Sequence, residues 1–94
     1  MLFQVHYLIR SKADGSYLVA HPNNDDTSGY LLLFREHSEA LSYINTHAFD
    51  IAHQFAVESL ASTQLGALLK RWGFTGVGIV QDPLLPHIQF LSQN

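Results

Sequence analysis

The chain has 94 residues, 47% hydrophobic and 14% charged, with a net charge of −3 and no cysteine. That length makes one domain, residues 1–94, folding without much stability to spare. Lys70-Arg71 is the only adjacent basic pair, which excludes phosphate-neutralising nucleic-acid binding as a main function and polybasic attachment to a membrane. Without cysteine there is no disulfide framework, thiolate metal site or cysteine nucleophile.

Residues 2–9 alternate: Phe3, Val5, Tyr7 and Ile9 point one way, and Gln4, His6, Leu8 and Arg10 the other. Period 2 predicts a half-buried strand. Asp14-Gly15 then marks a tight turn, and Ser16 to Ala20 reads as the returning strand of a hairpin. His21 to Gly29 is a polar loop of turn-forming residues. Tyr30-Leu31-Leu32-Leu33-Phe34 is a continuous apolar run, the pattern of a strand buried on both faces.

Ala40, Leu41, Ile44 and Ala48 carry the spacing of a helix face over 38–47, with Glu36 and Glu39 at its positive end. Phe49 to His53 is a connection, and Phe55-Ala56-Val57 a short strand. Ser62-Thr63 offers hydroxyls to cap a second helix, whose apolar stripe is Leu65, Leu68, Leu69 and Trp72. Lys70-Arg71 suits its negative end, and Gly73 its termination. Thr75 to Val80 is a strand with little room beside its glycines; Asp82 to Pro86 is a turn, and His87 to Leu91 a last strand. The order β-β-β-α-β-α-β-β predicts an α+β fold, with an antiparallel or mixed sheet and both helices on one face.

From Tyr30 onward the chain resembles the SseB N-terminal domain family of small bacterial α+β proteins. The likeness rests on Leu31-Leu32-Leu33-Phe34 with Ser38-Glu39-Ala40, on Phe55 to Leu60 leading to Leu65-Gly66-Ala67-Leu68-Leu69, and on Gly76 to Val80 with Asp82-Pro83. Gln81-Asp82-Pro83 stands where that family's turn reads Asn-Pro-Gly. The resemblance implies the fold and no defined chemistry.

A Gly-x-Ser-x-Gly elbow is missing, and the glycines of Gly73 to Gly78 precede a strand rather than the helix that a phosphate cradle needs. His53 near Asp50 is the one local acid–base candidate, and Asp25-Asp26 lacks the ligand spacing of an EF-hand. Six histidines are present: His6, His21, His37, His47, His53 and His87. They read as uncharged polar cover, as a pH-sensitive interface, or as ligands if His6, His21 and His87 lie on neighbouring strands, with Tyr7 and Tyr17 beside them. No metal or other cofactor is assigned.

The low charge suggests surface buried against another chain. Leu84-Leu85 between Pro83 and Pro86 either folds over the core edge or contacts a partner, and Trp72 is either core or an interface anchor. The expectation is a non-enzymatic interaction module, a dimer or a component of a larger complex, with a histidine-based sensor of metal or small ligand as the alternative. Residues 1–7 lack the charged start and long apolar run of a signal peptide, no stretch reaches the ~18–20 apolar residues of a membrane span, and the absent cysteine fits a reducing cytoplasm.

Overall fold

A computed structural model describes residues 4–22 and 29–92. Phe3 and most of the polar loop, including Asp25 and Asp26, lie outside the described residues. The elements are β1 (Val5–Ser11), β2 (Val19–Ala20), β3 (Tyr30–Phe34), α1 (His37–His47), a 3₁₀ segment (Phe49–Gln54), β4 (Phe55–Ala61), α2 (Ser62–Trp72), β5 (Gly76–Asp82) and β6 (His87–Ser92). The fold is α+β: a mixed sheet in the order β4-β1-β3-β5-β6, with β2 also paired to β3.

All five residues of β3 are buried, as expected of a central strand. It runs parallel to β5, pairing Tyr30 with Gly76 through Phe34 with Val80. Its other side meets β1 only at Tyr7 opposite Phe34, because the returning arm of the first hairpin wedges between them. Tyr17 bridges Arg10, and Val19 and Ala20 pair with Leu31 and Tyr30. The hairpin turn falls where Asp14-Gly15 places it, with Gly15 at φ 75°. Its returning strand is shorter than the sequence suggests, since one arm must serve two neighbours.

The helices lie on opposite faces, which corrects the expectation of a shared face. Ala40 and Ile44 of α1 pack with Ile9, Leu32, Phe34 and Val80. Leu69 of α2 packs with Leu8, Leu31, Leu33 and Val77. Strand direction gives the reason. β1 is antiparallel to both β3 and β4, so β4 is parallel to β3 and to β5. The connection β3-α1-β4 crosses the sheet one way, and β4-α2-β5 crosses back. Two crossovers of the same hand in opposite directions need opposite faces.

Helix α2 ends at Gly73, whose left-handed φ of 71° lets its N–H reach back into the last turn. Its start differs from expectation: Ala61 is the cap, and no side-chain hydroxyl caps the helix. Strand β4 continues to Ala61, beyond Val57, because it pairs with the whole of β1 from Val5–Ala61 to Ser11–Phe55. No described helix is long and apolar enough to cross a membrane.

Candidate interaction surface

The hairpin β5-β6 carries the most exposed apolar chemistry on a well-anchored frame. Strand β5 is buried at Gly76, Val77, Gly78 and Val80, whereas β6 is exposed at every position but Ile88. Between them sits the turn Pro83 to Pro86. Asp82 Oδ1 accepts hydrogen bonds from the backbone N–H of Leu84 at 2.9 Å and of Leu85 at 3.4 Å, so a side chain does the work of a turn hydrogen bond. Arg35 Nη2 donates to the Gln81 carbonyl at 2.9 Å, and His47 Nε2 donates to the Pro83 carbonyl at 2.8 Å. Both ends of α1 therefore hold the hairpin end in place. A bulge between Val80 and Asp82 bends the strand there.

Held this way, Leu84 is 60% exposed and Leu85 77%. They do not fold back over the core edge. Two residues beyond the His47 tether, Phe49 is exposed as well, and Ile51 follows it. The opposite side of α1 lies against the sheet, where a hollow of about 150 Å³ is lined by Leu18, Tyr43, Ile44, His47, Ala48 and Phe55. That is below the ~300 Å³ at which small-molecule pockets begin. Burial raises the Tyr43 hydroxyl above its ordinary pKa. An open groove of about 380 Å³ runs beside α2, lined by Leu60, Thr63, Gln64, Ala67, Leu68 and Arg71. It is a shallow trough without converging charges.

Strand β6 forms one edge of the sheet and β4 the other. The two edges differ. Glu58 sits on β4, in an ion pair with Arg10 at 3.6 Å. His87-Ile88-Gln89-Phe90-Leu91-Ser92 contains no Lys, Arg, Asp or Glu. Phe90 sets its ring edge-on to Tyr30 at 5.2 Å yet stays partly exposed, and Leu91 on the other face is exposed too.

Trp72 falls between its two expectations. It meets Tyr17 edge-on at 4.9 Å and stacks on Phe74 at 6.1 Å, while 42% of it stays exposed. Arg10 lies over the other partner of that contact, the Tyr17 ring, at 4.9 Å.

The ligand candidates are dispersed. His6 and His87 both lie toward the Phe34 end of the sheet, but β3 and β5 separate their strands, three spacings or about 14 Å. His21 follows Ala20, which pairs with Tyr30 at the other end of β3. Tyr7 packs against the α1 face, and Tyr17 against the α2 face. The neighbouring strands that convergence required are not neighbours. Among the described residues, no three His, Asp or Glu side chains are grouped to hold a metal. Asp50 and His53 are both exposed on the 3₁₀ segment. The sequence signal for the β6 edge was available but subtle: a charge-free final strand with an apolar residue on each face.

Comparison of the chain with protein-family models, with curated proteins and with solved structures finds no match.

Proposed function

We propose that this protein is a non-enzymatic interaction module that self-associates, acting in the cytoplasm as a dimer or within a larger complex. The observation that carries the reading is the hairpin β5-β6: two leucines held out by Asp82, Arg35 and His47, running into a charge-free, exposed edge strand. Presenting large apolar side chains on a tethered turn costs a free molecule solubility, and a partner surface offsets that cost. The low charged fraction agrees with surface reserved for contact. The resemblance to the SseB N-terminal domain family belongs to the same proposal, since that family brings a fold without a defined chemistry. The sensor reading has no gathered set of side chains among the described residues to rest on.

Sedimentation equilibrium of the full chain, over a concentration range spanning three decades, tests the proposal. A mass that rises to that of a dimer or higher oligomer is the expected outcome. A monomer mass throughout defeats self-association.

A further inference from the structure

Resting on that reading, we propose that the dimer forms by antiparallel pairing of β6 with β6 of a second copy, about a two-fold axis normal to the sheet. Gln89 then faces its own counterpart, and the two sheets become one.

The edge is open and unguarded. Proteins usually protect an edge strand with charge, proline, a bulge or a covering element. The bulge of this hairpin lies in β5, between Val80 and Asp82, and the proline stops at Pro86, before the strand. Five of the six residues of β6 are exposed, and no described element covers it. Strand β4, by contrast, carries Glu58.

The chemistry of the strand suits a second copy as the occupant. In symmetric antiparallel pairing, a charge at the axis position would meet its own counterpart and destabilise the pair. Strand β6 brings none. A two-fold axis normal to the sheet keeps each face on its own side, so residues opposite one another must share a face and the axis must lie midway between one residue and its own counterpart. Centred on Gln89, the register sets Ile88 against Phe90 twice on the α1 face and His87 against Leu91 twice on the α2 face. Aromatic and β-branched residues are favourable cross-strand partners. Phe90 is already oriented on that face by Tyr30. Gln89 Oε1 accepts from Gln81 Nε2 at 2.8 Å, which leaves the Gln89 amide N–H groups to its counterpart.

The absence of cysteine makes Gln89→Cys a single-thiol reporter. Gln89 is exposed, so the substitution leaves the fold intact, as circular dichroism would verify. Two residues facing each other across an antiparallel pair have Cβ atoms about 4.5–5.5 Å apart, close to disulfide range. Mild oxidation of Gln89→Cys should yield a covalent dimer. Glu58→Cys, on the other edge, should stay monomeric on a reducing-agent-free gel. In sedimentation, Gln89→Lys sets two cations opposite each other and should weaken the dimer several-fold, whereas Leu84→Ser with Leu85→Ser, at the margin of the paired strands, should weaken it less. A wild-type dimer that resists Gln89→Lys and gives no Gln89→Cys cross-link overturns β6 pairing while self-association stands. A dimer lost only on changing Leu84 and Leu85 moves the contact to the turn and also overturns it. A monomeric wild type removes both proposals.

Discussion

Asp14 shows how a single exposed side chain shapes the first hairpin. Its carboxylate accepts from the Ser16 backbone N–H at 3.0 Å and from the Ser16 hydroxyl at 2.8 Å. The backbone contact comes first among the causes that hold its pKa below the ordinary value. A carboxyl whose folded pKa is depressed contributes stability above its unfolded pKa and loses it as pH falls through the folded one. Asp14→Ala should therefore lower the melting midpoint at pH 7, and the gap from wild type should close as pH is lowered through and below the ordinary carboxylate range. Thermal melts at stepped pH values check this; a gap that stays constant into acid would show that the charge is not involved. At the other hairpin, Leu84→Ser and Leu85→Ser should each change stability by less than about 0.5 kcal/mol in urea titrations, as expected of exposed positions. Among single residues, Asp14-Gly15 and Gly73 were readable because their conformations are local. The exposure of Leu84 and Leu85 was not, since it depends on Arg35 and His47, distant in sequence. The histidines pose the same problem: their number is a property of composition, whereas convergence is a property of strand order.

Between elements, the fit of β5 to β6 turns on Gly76. A Cβ there would collide with the Leu91 carbonyl oxygen and press on the Ser92 Cα. The obstruction is backbone, so no side-chain rotation relieves it. Gly76→Ala should cost about 1–3 kcal/mol or more, read in urea unfolding, and should loosen β6 specifically. Hydrogen exchange is expected to rise first at Ile88 to Ser92; uniform exchange across the sheet would mean that β6 adapts and the collision is absorbed elsewhere. The strand and helix positions were largely legible, because β3 is a pure apolar run and the faces of α1 and α2 follow the helical repeat. The extension of β4 to Ala61 was hidden, since the polar pair Glu58-Ser59 ends the apolar run of Phe55 to Val57 until β1 supplies a partner for every residue from Phe55 on. The missing hydroxyl cap on α2 has a similar origin: with β4 pairing through Ala61, the strand runs directly into the helix.

For the molecule as a whole, the consequential feature is a sheet with a separate apolar cluster on each face. Neither the run Leu31-Leu32-Leu33 nor the alternation in β1 could reveal which helix takes which side, because both faces of these strands are apolar at their centre. Only the strand order, with β1 between β3 and β4, settles it. The arrangement has an energetic consequence. Ile44 belongs to the α1 cluster and Leu69 to the α2 cluster, with the sheet between them. Ile44→Val should cost about 0.5–1.5 kcal/mol and Leu69→Ala about 2–5 kcal/mol. Substitutions in separate clusters without shared partners add to within about 0.5 kcal/mol. The double variant should thus lose the sum of the two single losses in urea titrations. The conservative change at Ile44 keeps that sum within the roughly 5–15 kcal/mol that a domain has to lose. Had both helices shared one face, the two sites would compete for one core, and a coupling above about 0.5 kcal/mol would follow. A coupling of that size would show that the sheet transmits strain between its faces, through the backbone of β3 to which both clusters are attached.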